Sequence, residues 1–207
     1  FQAASEGLLE GCSALLQTRR DFAVFFLRTT PCRRQVQKLT LNVLADQGVT
    51  MDLKVHALEL LVTPMLAATF ADPRLRNADV VDGDIVAHLM RTALDVAALP
   101  RYSEALRIEL LKLATLLIEH LGRELVEHRK ELIKFAWNHL KSDDSTSKQW
   151  AYINVCRFIE VYETPPKIIL QVYVALLRTF QPESRELVRA ALDVLVPALP
   201  KRLPAHD

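Results

Sequence analysis

Six histidines and three cysteines are the residues of this chain best suited to metal or redox chemistry. A structural zinc site needs several His or Cys ligands at short, regular spacings. No histidine has a second ligand at such a spacing; the six are His56, His88, His120, His128, His139 and His206. We therefore interpret His88 and His120 as helix-surface or helix-end residues, and we predict neither a metal site nor a cofactor.

The three cysteines, Cys12, Cys32 and Cys156, are odd in number and far apart. This pattern predicts no disulfide framework and is typical of a reducing intracellular compartment. Cys156 is a conceivable nucleophile, but it falls in the middle of a predicted helix, on the apolar face. Because no cationic residue accompanies it to stabilise a thiolate, we predict a buried structural cysteine.

Motifs that would indicate an enzyme are missing from the sequence. It contains no glycine-rich dinucleotide fingerprint, no Walker lysine loop, no Gly-x-Ser-x-Gly elbow, no His-Glu-x-x-His and no protein-kinase signature. We predict no catalytic residue in this chain.

Two features are candidates for binding another protein. The charge cluster from Glu127 to Glu131 could dock an acidic activator or a neighbouring subunit through Arg129 and Lys130. It also fits a solvated helix face, which we favour. Tryptophan is enriched at interface hot spots, and Trp150 lies nearer the edge of its predicted helix than Trp137, which falls on a predicted core face. The predicted partner contacts are Trp150, Arg129 and Lys130.

Composition limits the classes of function. The 207 residues include 26 basic and 25 acidic ones, a net charge of +1, and half of the residues are hydrophobic. This is the composition of a folded protein. It lacks the basic excess of a nucleic-acid binder, so no direct nucleic-acid contact is predicted. No uninterrupted apolar segment is long enough to span a bilayer and no signal peptide is visible, so no membrane contact is predicted. Because the chain begins at Phe1 and not at Met, we expect it to be part of a larger protein.

The most apolar predicted helix follows a Pro-Pro pair. Thr164 is expected to cap its first turn, with Pro165 and Pro166 at the first helical positions, where a missing N–H costs little. From Ile168 to Phe180 only three residues are polar. A helix apolar on all sides must be covered by neighbours, so we predict that this helix is covered on most sides and central to the fold.

The sequence predicts further helices and indicates how they begin, bend and end. The segment from Leu53 to Phe70 should be a helix kinked by Pro64, which cannot donate a backbone hydrogen bond. Its apolar face should run through Leu58, Leu61, Val62 and Met65. Asp82 or Asp84 should cap the following helix. Gly122 should end another helix in a left-handed conformation. The segment from Arg123 to Lys141 should bury Leu132, Ile133, Ala136, Trp137 and Leu140.

Helix starts recur with a fixed period. One set begins near Ser103, Asp143 and Pro182, and the other near Arg123 and Pro165. Each set advances by about forty residues, the period of HEAT-type helix pairs. The sequence therefore predicts an all-α fold, an α-solenoid of HEAT-type helix pairs over 51–207. Residues 1–50 are predicted to form N-terminal helices that we could not assign further.

From Leu53 onward the chain resembles the TRRAP family of large HEAT-repeat scaffold proteins. Order and spacing carry the resemblance, since the shared residues are mostly apolar. They are Leu61-Val62-Thr63-Pro64-Met65 with Phe70, Leu106-Arg107-Ile108-Glu109-Leu110-Leu111 running on to Glu119-His120-Leu121, Phe135-Ala136-Trp137, Lys167-Ile168-Ile169-Leu170-Gln171-Val172, and Leu187-Val188-Arg189-Ala190-Ala191-Leu192 ending in Pro197-Ala198-Leu199-Pro200.

The resemblance implies a non-catalytic scaffold in a nuclear transcription coactivator. Its implied partners are subunits of histone acetyltransferase complexes and transcription activators. The family is related to phosphatidylinositol-3-kinase-like kinases but carries an inactive kinase domain, no part of which lies in this sequence. Two alternatives stay open: the helical solenoid of an active kinase of the same superfamily, and an importin-type transport receptor, which is usually more acidic.

Overall fold

The computed structural model describes residues 42–74, 81 and 83–203, and every regular element in these ranges is a helix. The chain divides into two compact units, with the boundary between Leu113 and Ala114. The predicted helix from Ala3 to Leu16, and most of the one from Gln35 to Leu44, lie outside the described residues. The predicted division at residue 50 stays a prediction.

Helix α1 (Met51–Phe70) opens the first unit in three parts. Two α-helical parts, Met51–His56 and Thr63–Phe70, flank a π-helical turn, Ala57–Val62. In that turn the Thr63 N–H donates to the Leu58 carbonyl, one residue further back than in an α-helix. Pro64 explains the wider turn, because it has no N–H to donate to the preceding turn. The structure thus has a π turn directly before Pro64, and the kink itself stays a prediction.

The buried face of α1 agrees with its prediction. Its predicted apolar residues, Leu58, Leu61, Val62 and Met65, are all buried. Among the described residues, α1 is also the one helix long and apolar enough to cross a membrane, contrary to the sequence expectation. However, 56% of its most apolar window is buried inside the molecule. A core helix of a folded protein meets the same length and composition criteria, and burial identifies α1 as a core helix.

The rest of the first unit contains an α-helix, a 3-10 helix and the start of a second α-helix. Helix α2 (Gly83–Thr92) has Asp84 in its first turn, so Asp84 is not the cap; Asp82 lies outside the described residues. A 3-10 helix, Val96–Arg101, follows. The Tyr102 hydroxyl donates to the Thr92 carbonyl at 3.0 Å. Helix α3 (Glu104–Leu121) then starts where predicted and continues across the boundary between the units.

The second unit contains the four helices that follow α3. They are α4 (Arg129–His139), α5 (Ser145–Val161), α6 (Pro166–Arg178) and α7 (Arg185–Arg202). Helix α5 packs against α4 and α7, and α6 packs against α5 and α7. The starts of α3, α5 and α7 are about forty residues apart, as predicted.

Helix α5 is the centre of the second unit. Its N-cap residue is Asp144, whose carboxylate accepts hydrogen bonds from the N–H groups of Thr146 at 3.1 Å and Ser147 at 2.7 Å. This cap satisfies two N–H groups that have no partner inside the helix. Ten α5 side chains are buried: Ser147, Gln149, Ala151, Tyr152, Ile153, Asn154, Val155, Cys156, Phe158 and Ile159.

Three predictions around α4 are wrong. Gly122 has no positive φ; a Cβ there would lie 2.3 Å from the Val161 Cγ1 atom, so the glycine is explained by the close approach of the end of α5. The helix starts at Arg129 and not at Arg123, because a turn and a short 3-10 helix come first. Its buried face is also rotated: Leu132, Phe135, Ala136 and His139 are buried, whereas Ile133, Trp137 and Leu140 are only half-buried.

Helix α6 also departs from its prediction. It begins at Pro166, Pro165 is the N-cap residue, and no side chain caps it. Thr164 donates its hydroxyl to the Tyr162 carbonyl at 3.3 Å and does not cap the helix. Only Ile169, Val172 and Leu176 of α6 are buried, so the helix is covered on one side and not on most sides.

Candidate interaction surface

The cysteine considered as a nucleophile is buried in the helical core. Cys156 is fully buried on α5, and burial raises the pKa of its thiol to about 12. A thiol with this pKa is not a nucleophile near neutral pH, because the thiolate is the reactive form. Within the described ranges, no group of three or more His, Cys, Asp or Glu side chains is arranged to hold a metal ion.

His139 is the buried histidine of α4, and its surroundings account for it. Its Nδ1 atom lies 2.8 Å from the Phe135 carbonyl oxygen, and the Phe135 and His139 rings are 4.6 Å apart between centroids. An imidazole that bonds to its own helix and lies tilted against an adjacent ring serves packing. His88 and His120 are half-buried on their helices.

The predicted partner contacts are found on two helices of the second unit. Arg129 and Lys130 form the first turn of α4 and are exposed, as are Glu127 and Glu131 beside them. This agrees with the solvated face favoured from the sequence and leaves both cations accessible. Trp150 is half-buried on α5 and has an interaction within the chain. Whether these residues bind a partner stays a prediction.

An apolar surface that the sequence analysis missed lies on α6. Leu170, Val174 and Leu177 are 51%, 43% and 46% exposed. Their spacing of i, i+4 and i+7 places them along one side of the helix, away from buried Ile169, Val172 and Leu176. We call Leu170, Val174 and Leu177 the α6 stripe. Large apolar side chains grouped in this way mark a surface that another element covers.

The charges near the α6 stripe have one sign. Lys167 and Arg178 are the charged residues of α6, and both are exposed. Phe180, just beyond the helix, is 52% exposed and adds to the apolar surface at this end. The spacing of the stripe was visible in the sequence. Its exposure was not, since apolar side chains on opposite sides of a helix have the same pattern whether one side or both are covered.

Two arginines connect helices α3, α5 and α7. Arg157 on α5 pairs with Glu160 one turn later, and its Nη2 atom lies 3.4 Å from Oε2 of Glu119 on α3. Arg202 on α7 donates to the Glu160 carbonyl at 2.7 Å. Charge-assisted hydrogen bonds of this kind are directional, so the network sets how α3 and α7 lie against α5.

Two buried amide side chains of α5 form hydrogen bonds to other helices that the sequence analysis did not predict. The Asn154 amide donates to the Thr115 hydroxyl at 2.9 Å, and the Gln149 amide donates to the Thr179 carbonyl at 3.3 Å. These bonds tie α5 to α3 and to the end of α6.

In the first unit, Lys54 is buried on α1. Desolvation lowers the pKa of its ammonium and Arg101 adds to the effect, while Asp46 opposes it.

Comparison with known proteins gives one family match and several relatives. Residues 24–207 match the model of the Tra1 HEAT repeat ring region. A probable transcription-associated protein 1 of Dictyostelium discoideum is 45% identical over 178 residues, covering 84% of this chain. The SAGA complex/NuA4 acetyltransferase complex subunit Tra1 of Schizosaccharomyces pombe is 30% identical over 78% of this chain. The human transformation/transcription domain-associated protein is 29% identical over 76%.

These relatives are far longer than the region compared. The matched region makes up 4% of each of the three relatives. The family match begins at residue 24, so it extends into the part of the chain where motifs alone carried no resemblance.

Proposed function

This chain belongs to the family of the Tra1 HEAT repeat ring region, and from that premise we propose that it is a non-catalytic scaffold segment of a nuclear transcription coactivator subunit. The proposed role is to link transcription activators to histone acetyltransferase complexes. The predicted all-α, HEAT-type fold class is confirmed by the family match and by the helices of the described residues.

The observation that carries the proposal is the set of relatives. Two yeast relatives are named as subunits of the SAGA and NuA4 acetyltransferase complexes, and they match 78% and 50% of this chain. The chain corresponds to 4% or less of those proteins. The partners and the nuclear location are therefore proposed for the whole protein, of which this segment would be one structural part.

The described residues support a structural role for the segment itself. Their buried polar groups hold helices together, as Asn154 and Gln149 do on α5. Their best candidate nucleophile, Cys156, is buried with a raised pKa. For the parent protein we propose a kinase-related domain without activity, located outside this chain.

We propose Arg129, Lys130 and Trp150 as the partner contacts of this segment. The two cations are exposed side by side, and a complementary acidic surface on another subunit could approach them without displacing any helix. Interface charges of this type act mainly on association rate and specificity. Trp150 is half-buried, so it would supply an apolar edge and not a fully exposed anchor.

The test is affinity purification of the tagged full-length protein from nuclei. We expect acetyltransferase subunits to co-purify with it. In the double variant Arg129→Glu/Lys130→Glu, we expect one or more partners to be lost while the thermal stability of the segment is kept. Arg189→Glu, an exposed cation on α7, is the matched control and should keep every partner.

Three results would contradict the proposal in different ways. Absence of acetyltransferase subunits from every preparation would contradict the coactivator role. Robust phosphotransfer by the purified full-length protein would favour the active-kinase alternative. Co-purification of transport cargo with nuclear-pore proteins would favour the importin-type alternative.

A further inference from the structure

The loop between α5 and α6 holds a threonine in extended backbone. Tyr162 and Pro165 have ψ angles of 147° and 136°, which are values of extended backbone. Thr164 lies between them, and the proline after it disfavours helical geometry at the threonine. The hydrogen bond from the Thr164 hydroxyl to the Tyr162 carbonyl is 3.3 Å long, beyond the usual range for an O–H···O bond. The hydroxyl of this half-buried residue is therefore only weakly held.

The residues after Thr164 fit the substrate specificity of one group of protein kinases. Proline-directed kinases bind an extended segment with proline directly after the phosphorylated threonine, a position at which the enzyme needs no backbone N–H from its substrate. Cyclin-dependent kinases of this group also prefer Lys or Arg three positions after the threonine, where the cation pairs with acidic groups of the enzyme. Pro165, Pro166 and Lys167 are all exposed. The loop therefore presents both determinants to an approaching kinase.

A second Thr-Pro pair shows what the fold adds to this pattern. The sequence has three such pairs, at Thr30, Thr63 and Thr164, and no Ser-Pro pair. Thr30 lies outside the described residues. Thr63 has helical φ and ψ angles of −63° and −47°, its hydroxyl oxygen is buried, and Leu66 stands where a kinase would need a cation. Within the described ranges, only Thr164 combines the pair with a nearby cation and extended backbone.

We propose that Thr164 is a phosphorylation site for a proline-directed protein kinase. In the reaction, the Thr164 hydroxyl oxygen attacks the γ-phosphorus of Mg²⁺-bound ATP. The bond from that phosphorus to the bridging oxygen breaks, ADP leaves with the electron pair, and the hydroxyl proton passes to the catalytic aspartate of the kinase. The products are phosphothreonine and ADP, and both the kinase and ATP come from outside this chain.

The surroundings of Thr164 can accept a phosphate. Helix α6 starts without a side-chain cap, and Lys167 in its first turn is exposed. Negative charge is favourable near a helix N-terminus and beside a lysine. Exposed Glu163 opposes it, but at exposed positions such charge pairs contribute little. We therefore expect phosphorylation to change the charge of the loop by about −1.5 to −2 and to leave α6 folded.

Mass spectrometry of the full-length protein tests the proposal. Trypsin cleaves after Arg157 and Lys167 and releases one peptide that contains both Tyr162 and Thr164. In protein isolated from nuclei with phosphatase inhibitors, we expect this peptide to carry one phosphate, which fragment ions place on Thr164. After phosphatase treatment, a purified cyclin-dependent kinase with Mg²⁺-ATP should restore it. Thr63 should stay unmodified in the same sample.

Variants of the full-length protein separate recognition from accessibility. Pro165→Ala keeps the threonine and removes the proline determinant, so the initial rate at Thr164 should fall about tenfold or more. Pro182→Ala is the matched control, because Pro182 is also an exposed proline at a helix start but follows Gln181. It should not change the rate. Thr164→Val should abolish phosphorylation of the peptide that contains Tyr162.

Three outcomes would overturn the proposal. Phosphorylation of Thr164 only after urea unfolding would show that the folded protein hides the loop. Absence of the phosphopeptide from nuclear protein would show that the site is not used. Equal rates at Thr63 and Thr164 would show that extended backbone and Lys167 do not select the site. None of these results bears on co-purification of acetyltransferase subunits, so this inference stands or fails independently of the proposed function.

Discussion

Helices α5 and α6 of the second unit are buried to extents opposite to those that their compositions predict. Helix α6 has only Lys167, Gln171 and Arg178 as charged or amide side chains, yet much of its apolar surface is exposed. Helix α5 contains Ser147, Gln149 and Asn154, yet these polar residues are buried together with its apolar ones. The more polar helix is the core helix.

Position between neighbours explains the difference. Helix α5 lies against both α4 and α7, and it bonds through Asn154 to the α3 residue Thr115. Helix α6 contacts α5 and α7 from one side. A polar side chain can be buried where a partner satisfies its hydrogen bonds, and an apolar one stays exposed where no neighbour exists. Composition thus ranks these helices wrongly, because burial depends on the number of packing partners.

The largest effect should separate two adjacent leucines of α6. Leu176 is fully buried and Leu177 is 46% exposed. Leu176→Ala should cost about 2–5 kcal/mol of unfolding free energy, because it leaves a cavity. Leu177→Ala should cost under about 1 kcal/mol in this chain. Urea denaturation of both variants measures the difference, and equal losses would contradict one-sided burial of α6.

Hydrogen exchange on Leu176→Ala tests how far the damage spreads. In a stack of repeats each repeat contacts only its neighbours. We expect lost protection between Asp143 and Leu199 and retained protection between Leu53 and Phe70. Uniform loss over the whole chain would contradict the repeat organisation.

The next effect tests the close approach at the end of α5. Gly122→Ala should destabilise the chain by about 1–3 kcal/mol, since the added Cβ overlaps the Val161 side chain. Combining it with Val161→Ala should recover part of the loss, which a double-mutant cycle would quantify. Gly83→Ala is the control: a Cβ there meets nothing within 4 Å, and stability should change little. Similar losses at both glycines would indicate a backbone effect and not the overlap.

Alkaline pH should weaken α5 through its buried thiol. The folded pKa of Cys156 is about 12, above the unfolded value of about 8.5. Above the unfolded pKa the unfolded chain binds fewer protons than the native chain, so stability falls as pH rises from about 8.5 towards 12. Tyr162, whose pKa burial also raises to about 12, acts in the same direction. In thermal melts from pH 8 to 11, Cys156→Ala should show a shallower decline than the unmodified chain. An identical decline would mean that Cys156 is not buried in its neutral form.

The smallest effects compare a capping carboxylate with an exposed ion pair. Asp144→Ala should cost about 0.5–2 kcal/mol, because two N–H groups at the start of α5 lose their acceptor. Arg189→Ala should lie within roughly 0.5 kcal/mol of zero, since its pair with Asp193 is exposed and 3.8 Å long. Both follow from denaturant midpoints, and a larger loss for Arg189 would show that the outer side of α7 is packed.

Local chemistry made part of this structure predictable from sequence. Helix α5 starts close to Asp143, as its periodicity predicted, and its buried face through Tyr152, Val155, Cys156 and Ile159 follows helical spacing. The period of about forty residues also appears in the helix starts. The resemblance to TRRAP is confirmed by the family match. These features depend on residues close together in sequence, or on the order of many weak motifs.

Tertiary structure decided which helix is central and which surfaces are free. Gly122 is explained by Val161, a residue at the end of α5, and no local signal distinguishes that role from a left-handed cap. Asn154 is buried with Thr115 as its hydrogen-bond partner, and Leu177 is exposed because no described helix covers that side of α6. By itself the sequence determined where α3, α5 and α6 begin and what family the chain belongs to. Which of their faces are covered was decided by packing, because burial is a property of neighbours and not of the residue.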